Sequence, residues 1–141
     1  MTAAATLHAT CVAWDAKAVI IIGRSGAGKS ALGLQLMALG CVLVADDRVC
    51  VTSTRTGLIA SCPKTIVGLI EARGVGILTA KTTAQADVQL IVDLDKTTTQ
   101  RLPERRVMML HGHKIPLIHR AAGDHFVPAI LQLLKAGWSE R

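Results

Sequence analysis

The chain has 141 residues, of which 50% are hydrophobic, 18% charged and only 2% aromatic. That length can bury a substantial core, the composition excludes a disordered chain, and the aliphatic bias suits the buried strands of an α/β fold. A formal charge of +6 favours anionic partners, but with only Trp14, Phe126 and Trp138 to stack on bases it points to phosphate rather than nucleic acid.

From the N-terminus, residues 7–14 predict a short strand or strand pair, with a turn around Asp15. Residues 18–22 (AVIII) form a fully apolar strand that runs into the glycine-rich stretch 23–28. Residues 30–40 follow as a helix, with Leu32, Leu36 and Leu39 on one face and Gly40 as its cap. Residues 41–45 (CVLVA) read as a second buried strand ending at Asp46 and Asp47. Residues 49–60 alternate Val with Thr or Ser, as a half-exposed antiparallel strand does. After Pro63 an apolar pattern resumes over 66–70, and Gly74 and Gly76 mark a tight turn. Residues 88–94 predict a further strand, and 95–106 the most loop-like segment. Residues 107–110 and 115–118 predict a hairpin around His111, Gly112 and His113, and 127–137 a C-terminal amphipathic helix carrying Ile130, Leu131 and Leu134. A single domain over 1–141 is the simplest expectation.

Cys11, Cys41, Cys50 and Cys62 form no C-x-x-C pair and lie in or beside apolar segments, which predicts free thiols. No signal peptide is evident at the N-terminus, and no apolar run reaches the roughly 18 residues of a membrane span. A reducing cytoplasm and no membrane partner are therefore expected.

Gly23, Arg24, Ser25, Gly26, Ala27, Gly28, Lys29 and Ser30 match G-x-x-x-x-G-K-[ST] in full, between a strand and a helix. In such a P-loop, backbone N–H groups converge on phosphate oxygens and the helix N-terminus adds positive potential. Lys29 then bridges the β- and γ-phosphates, and the Ser30 hydroxyl holds Mg²⁺. A strand–loop–helix–strand unit usually yields two parallel neighbours, which brings Asp46 and Asp47 to the same sheet edge as the loop. One of the two can accept the proton of an attacking hydroxyl, and the other can orient Mg²⁺ or its water. No guanine-reading N-K-x-D is present, so a kinase is favoured over a GTPase switch.

GRSGAGKS at 23–30, VADD at 44–47 and EARGVGI at 71–77 together resemble the catalytic domain of bacterial HPr kinase/phosphorylase, most clearly over residues 7–80. The resemblance implies a mixed-sheet fold of the phosphoenolpyruvate carboxykinase type, and an ATP- and Mg²⁺-dependent serine kinase acting on HPr, the phosphocarrier of the sugar phosphotransferase system. It also implies reverse phosphorolysis in longer members and a hexamer. Carried over by residue, Lys29 and Ser30 bind nucleotide and metal, Asp46 resembles the catalytic base and acid, Asp47 supports the metal, and Glu71 lies near Mg²⁺. Arg73 and Gly74 fall in the signature loop, and His8 occupies the place of a histidine near the phosphates.

The chain departs from longer members in three respects. It is expected to lack a separate N-terminal domain and so to resemble the short members, and Thr79 stands where Asn or Asp is frequent. No P-x-R-P-G-R-N stretch is found; Arg120 is its nearest candidate and is expected at the surface. Solvated loop positions are expected for His111, His113 and His119 and for Arg101, Arg105 and Arg106. A small-metabolite kinase using Arg101–Arg106 as a lid and a non-catalytic ATP-binding regulator remain as alternatives.

Overall fold

A computed structural model describes residues 3–139. Strand β1 (Ala3–His8) is followed by β2 (Thr10–Trp14), which returns as β3 (Lys17–Ile22). Asp15 and Ala16 make that return with φ of 47° and 65°, the two-residue turn whose twist matches paired strands. Helix α1 (Lys29–Ala38) leads to β4 (Val42–Ala45), then β5 (Arg48–Ser53) and β6 (Leu58–Ser61). A 3-10 turn at Lys64–Ile66 precedes the hairpin of β7 (Leu69–Ala72) and β8 (Gly76–Thr79). The chain ends in β9 (Gln85–Thr98), β10 (Arg106–Leu110), β11 (His113–Ala121) and α2 (Phe126–Ala136).

Nine strands form one mixed sheet in the order β1-β5-β6-β9-β3-β2-β4, with β11 also joined to β9 and β10 to β11. The β3–β9 and β9–β11 pairs are parallel and the remaining pairs antiparallel. Strand β9 forks the sheet. Asp87 faces Lys17 on one side and Ile59 on the other, whereas Ile91 faces Ile20 and Leu117. Strands β6 and β11 therefore occupy successive stretches of one edge of β9, and β3 holds the opposite edge.

Alternation along the strands divides the core between the two faces. Val12, Val19, Ile21, Leu43 and Val92 pack beneath Leu32 and Leu36 of α1 and Ile130 and Leu134 of α2. Cys11, Ala18, Ile20, Val51, Ile91 and Ile115 fill the other face. Leu39 is exposed, so the helix face expected from Leu32, Leu36 and Leu39 is completed by Gly33 instead. Gly33 is there because α1 lies almost against β2: a Cβ at this position would meet Thr10 Cγ2 at 2.8 Å. Alanine gains about 1 kcal/mol of helix propensity over glycine, while overpacking a stiff, buried contact costs about 1–3 kcal/mol. Gly33→Ala should therefore lower the denaturant midpoint, and a raised midpoint would contradict this packing.

Several expectations from sequence change in the structure. Strands β3 and β4 are not neighbours, because β2 lies between them, antiparallel to both. The two still run the same way, so their carboxyl ends share one edge as expected. Residues 49–60 are a hairpin rather than one strand: Thr54 Oγ1 donates to Gly57 O and accepts from Gly57 N, closing the turn. Residues 95–98 continue β9 rather than opening a loop, since β11 pairs them to Thr98. The expected hairpin around His111–His113 is present, as is the C-terminal helix.

All four cysteines are free; Cys11 and Cys41 are buried, and burial pushes their thiols and that of Cys62 up. Among the described residues no helix is long and apolar enough to cross a membrane.

Candidate active site

The loop between β3 and α1 keeps its glycines where side chains would strain the backbone. Gly26 and Gly28 have φ of 85° and 101°, and Gly28 is the N-cap of α1. No side chain caps that helix, and its first turn carries no acidic residue. The first-turn N–H groups thus face the loop without a side-chain acceptor, and the helix dipole adds positive potential there. Lys29 curls back over the loop, its Nζ donating to Gly23 O at 2.7 Å and Arg24 O at 3.0 Å.

Asp46 follows β4 and is only 6% exposed. Its Oδ1 accepts from Ser30 Oγ and from Thr10 Oγ1, both at 2.7 Å, and its Oδ2 accepts from Glu71 N at 3.0 Å. A buried carboxylate is tolerated only with such pairing. Three elements therefore converge on one group: the start of α1, the start of β2 and the β7–β8 hairpin.

Asp47 is separated from Asp46 by a backbone bend rather than by strand alternation. Its φ is +69°, its side chain is exposed, and its carbonyl accepts from Ala9 N at 3.2 Å. His8, exposed at the end of β1, lies opposite Arg48 and is held to the same edge by that bond. Glu71 and Arg73 are exposed on the β7–β8 hairpin. Among the described residues, Asp46 is the carboxylate hydrogen-bonded to Ser30, and the expected metal-side pair, Asp47 and Glu71, makes no side-chain hydrogen bond to it.

Two residues brace the loop from the opposite strands. Asp95 accepts the Arg24 N–H on both oxygens, at 3.1 and 2.9 Å. Arg120, expected at the surface, is half-buried and donates from Nη2 to Ala27 O at 2.6 Å and from Nε to Leu94 O at 3.3 Å. A register shift between His119 and Arg120 against β9 brings both residues to the loop. Asp95 and Thr10 were not legible as site residues, because an exposed acid and a strand threonine are ordinary in sequence. Hydrogen bonds to a charged group contribute about 1.5–3 kcal/mol, so Arg120→Ala should lower the unfolding midpoint. Arg120→Lys should restore little, since a lysine lacks the two-pronged guanidinium.

The remaining candidates sit elsewhere. His113 is not a solvated loop residue: its Nε2 lies 3.0 Å from Ser53 Oγ and 3.1 Å from Thr54 O, tying β11 to the β5–β6 turn. His111 is exposed in its turn, and Arg105 stacks on Trp138 while donating to Ser139 O. Among the described residues no group of three or more His, Cys, Asp or Glu forms a metal cluster.

Fold and site together define a mixed α/β domain in which a glycine-rich strand–loop–helix faces a buried, triply hydrogen-bonded aspartate. The chain belongs to the HPr serine kinase C-terminal domain family, whose model matches residues 1–118. It is 40% identical over 95 residues to the HPr kinase/phosphorylase of Bordetella pertussis, covering 62% of this chain and 31% of that protein. To the enzyme of the same name from Alkaliphilus metalliredigens it is 33% identical over 108 residues, covering 71% and 35%. The chain thus spans about a third of the length of these curated relatives. The structure of the Hpr(Ser) kinase/phosphatase from Coxiella burnetii superposes with a TM-score of 0.76 at 26% identity, over 93% of this chain and 88% of that one.

Proposed function

We propose that this domain is an ATP- and Mg²⁺-dependent serine kinase whose acceptor is an HPr-like phosphocarrier protein. The observation that carries the reading is the placement of a buried carboxylate beside an open glycine loop: Asp46 Oδ1 meets Ser30 Oγ at 2.7 Å at the start of α1. Family membership supports the choice of acceptor. A P-loop role for residues 23–30 is supported by the uncapped helix start and by the left-handed glycines.

The residues present fit the groups such a reaction requires. Ser30 Oγ offers a hard oxygen donor beside the carboxylate, with Asp47 and Glu71 on the rim able to act through water, a set suited to Mg²⁺. When bound, ATP supplies the phosphoryl group and Mg²⁺ offsets its charge. Lys29 leaves the Gly23 and Arg24 carbonyls to bind phosphate oxygens. Asp46 accepts the proton of the incoming serine hydroxyl, held in place by donors that face its two oxygens. His8, at the same edge, contributes a further donor toward the phosphates. Positioning and electrostatics supply most of the acceleration, because phosphoryl transfer asks little covalent chemistry of the protein. The reverse phosphorolysis, a cytoplasmic location and assembly as a homo-oligomer belong to the same proposal by family likeness.

The test is transfer of label from γ-labelled ATP to a serine of HPr from the same organism, with Mg²⁺ and a Lys29→Ala control. Label on HPr that vanishes in the control is the expected result. Nucleotide binding without any labelled HPr would overturn the proposed acceptor and favour a metabolite acceptor or a regulator.

A further inference from the structure

We propose that Thr10 is a positioning residue that holds the Asp46 carboxylate in register when Ser30 turns to the nucleotide site. The proposal rests on the phosphotransfer reading above, but not on which molecule accepts the phosphoryl group.

Thr10 is 0% exposed, the first residue of β2, and among the described residues its one side-chain hydrogen bond is the 2.7 Å donation to Asp46 Oδ1. The hydroxyl has no packing purpose there. It is buried against Gly33 of α1, where valine would fill the same volume without a polar group to satisfy.

Its orientation is fixed twice over. A β-branched side chain has few χ1 choices, and α1 approaches so closely that Gly33 leaves no room for a Cβ beside Thr10 Cγ2. With the methyl held against the helix, the hydroxyl is directed at the carboxylate.

The three donors on Asp46 are not equivalent. Ser30 stands at the mouth of the glycine loop, where a ligand competes for its hydroxyl. Glu71 N is backbone and addresses Oδ2. Once Ser30 is engaged elsewhere, Thr10 is the remaining donor on Oδ1. Without it that oxygen is free to rotate away from the acceptor hydroxyl, and misplacement on the order of 1 Å can cost 10²-fold in rate.

The experiment compares the wild-type protein with Thr10→Val and Thr10→Ser. It measures steady-state transfer to HPr, the Glu71 amide resonance by NMR, and the melting temperature. Thr10→Val should lower kcat by roughly 10- to 100-fold, the weight of one hydrogen bond to a charged group. KM for ATP should stay within about twofold, because Thr10 is fully buried and acts through Asp46. The Glu71 amide should shift, reporting movement of Oδ2. Thr10→Ser, which keeps the hydroxyl without the methyl that aims it, should restore most of kcat and return the amide toward its wild-type position.

A Val variant that turns over like the wild type, or a folded Ser variant that fails to rescue, would overturn the proposal. Should Val not fold, Thr10→Ala takes its place with the same expected readings. If the wild type transfers nothing to HPr, the proposed acceptor fails on its own. The Glu71 amide then decides: displaced in Val and restored in Ser sustains Thr10's role, and unmoved in both refutes it.

Discussion

Asp46→Asn is expected to abolish phosphoryl transfer while nucleotide still binds. Asparagine matches aspartate in shape and retains one acceptor oxygen, which can stay on the Glu71 N–H. Its amide group would then face Thr10 and Ser30, whose hydroxyls can rotate to accept. The network reverses polarity on that side instead of breaking. Fold stability should fall by no more than about 1–3 kcal/mol, as charged hydrogen bonds become neutral ones. What asparagine cannot do is take up a proton, and loss of a general base typically costs 10²–10⁴-fold. Single-turnover transfer and equilibrium nucleotide binding, measured on one preparation, check both halves. Turnover near wild type would remove Asp46 from the proposed chemistry.

Lys29→Ala should be as damaging to turnover but for a different reason, and the two variants should separate in the binding measurement. The Lys29 ammonium is latched to Gly23 O and Arg24 O, and in the proposed reaction it exchanges those carbonyls for phosphate oxygens. Removing a positioned electrostatic group of this kind costs about 10²–10³-fold in rate. Nucleotide affinity should fall as well, because the charge is felt in the ground state. The binding defect in Lys29→Ala, against near-normal binding in Asp46→Asn, is the expected contrast. Equal binding in both variants would mean that Lys29 does not reach the phosphates.

The parts of the site carried by consecutive residues were legible in the sequence. The loop motif, the strand before it, the helix after it and the acidic end of β4 all read directly from the order of residue types, and the structure has those elements. Arrangement was less legible. Nothing in β2 signals that it slips between β3 and β4, since hairpin pairing with β3 leaves its other edge open to any strand. The polar end of β9, with Asp95, Lys96, Thr97 and Thr98, reads as loop because exposed strand ends carry the same residues as turns. Gly57, after Ser53 and Thr54, was a turn signal that the Val and Thr alternation masked. Arg120 looked like a surface residue because its partner, Ala27, lies 93 positions away. Separation of that size leaves no periodicity to read.

The forked strand β9 sets the order in which this molecule can be assembled. Hairpins such as β2–β3 and β5–β6 close over a few residues and can form as soon as they leave the ribosome. The loop, by contrast, receives its first brace from Asp95, 71 positions after Arg24, and its second from Arg120, later still. Closing contacts that distant in sequence is slow, because the chain must give up its freedom before any pairing repays it. A nascent chain stalled before residue 95 would carry the complete glycine motif, Ser30 and Asp46, yet lack Asp95 and Arg120, the two residues that brace the loop. The proposed competence to hold a phosphate would arrive last, as a property of the closed sheet rather than of the motif.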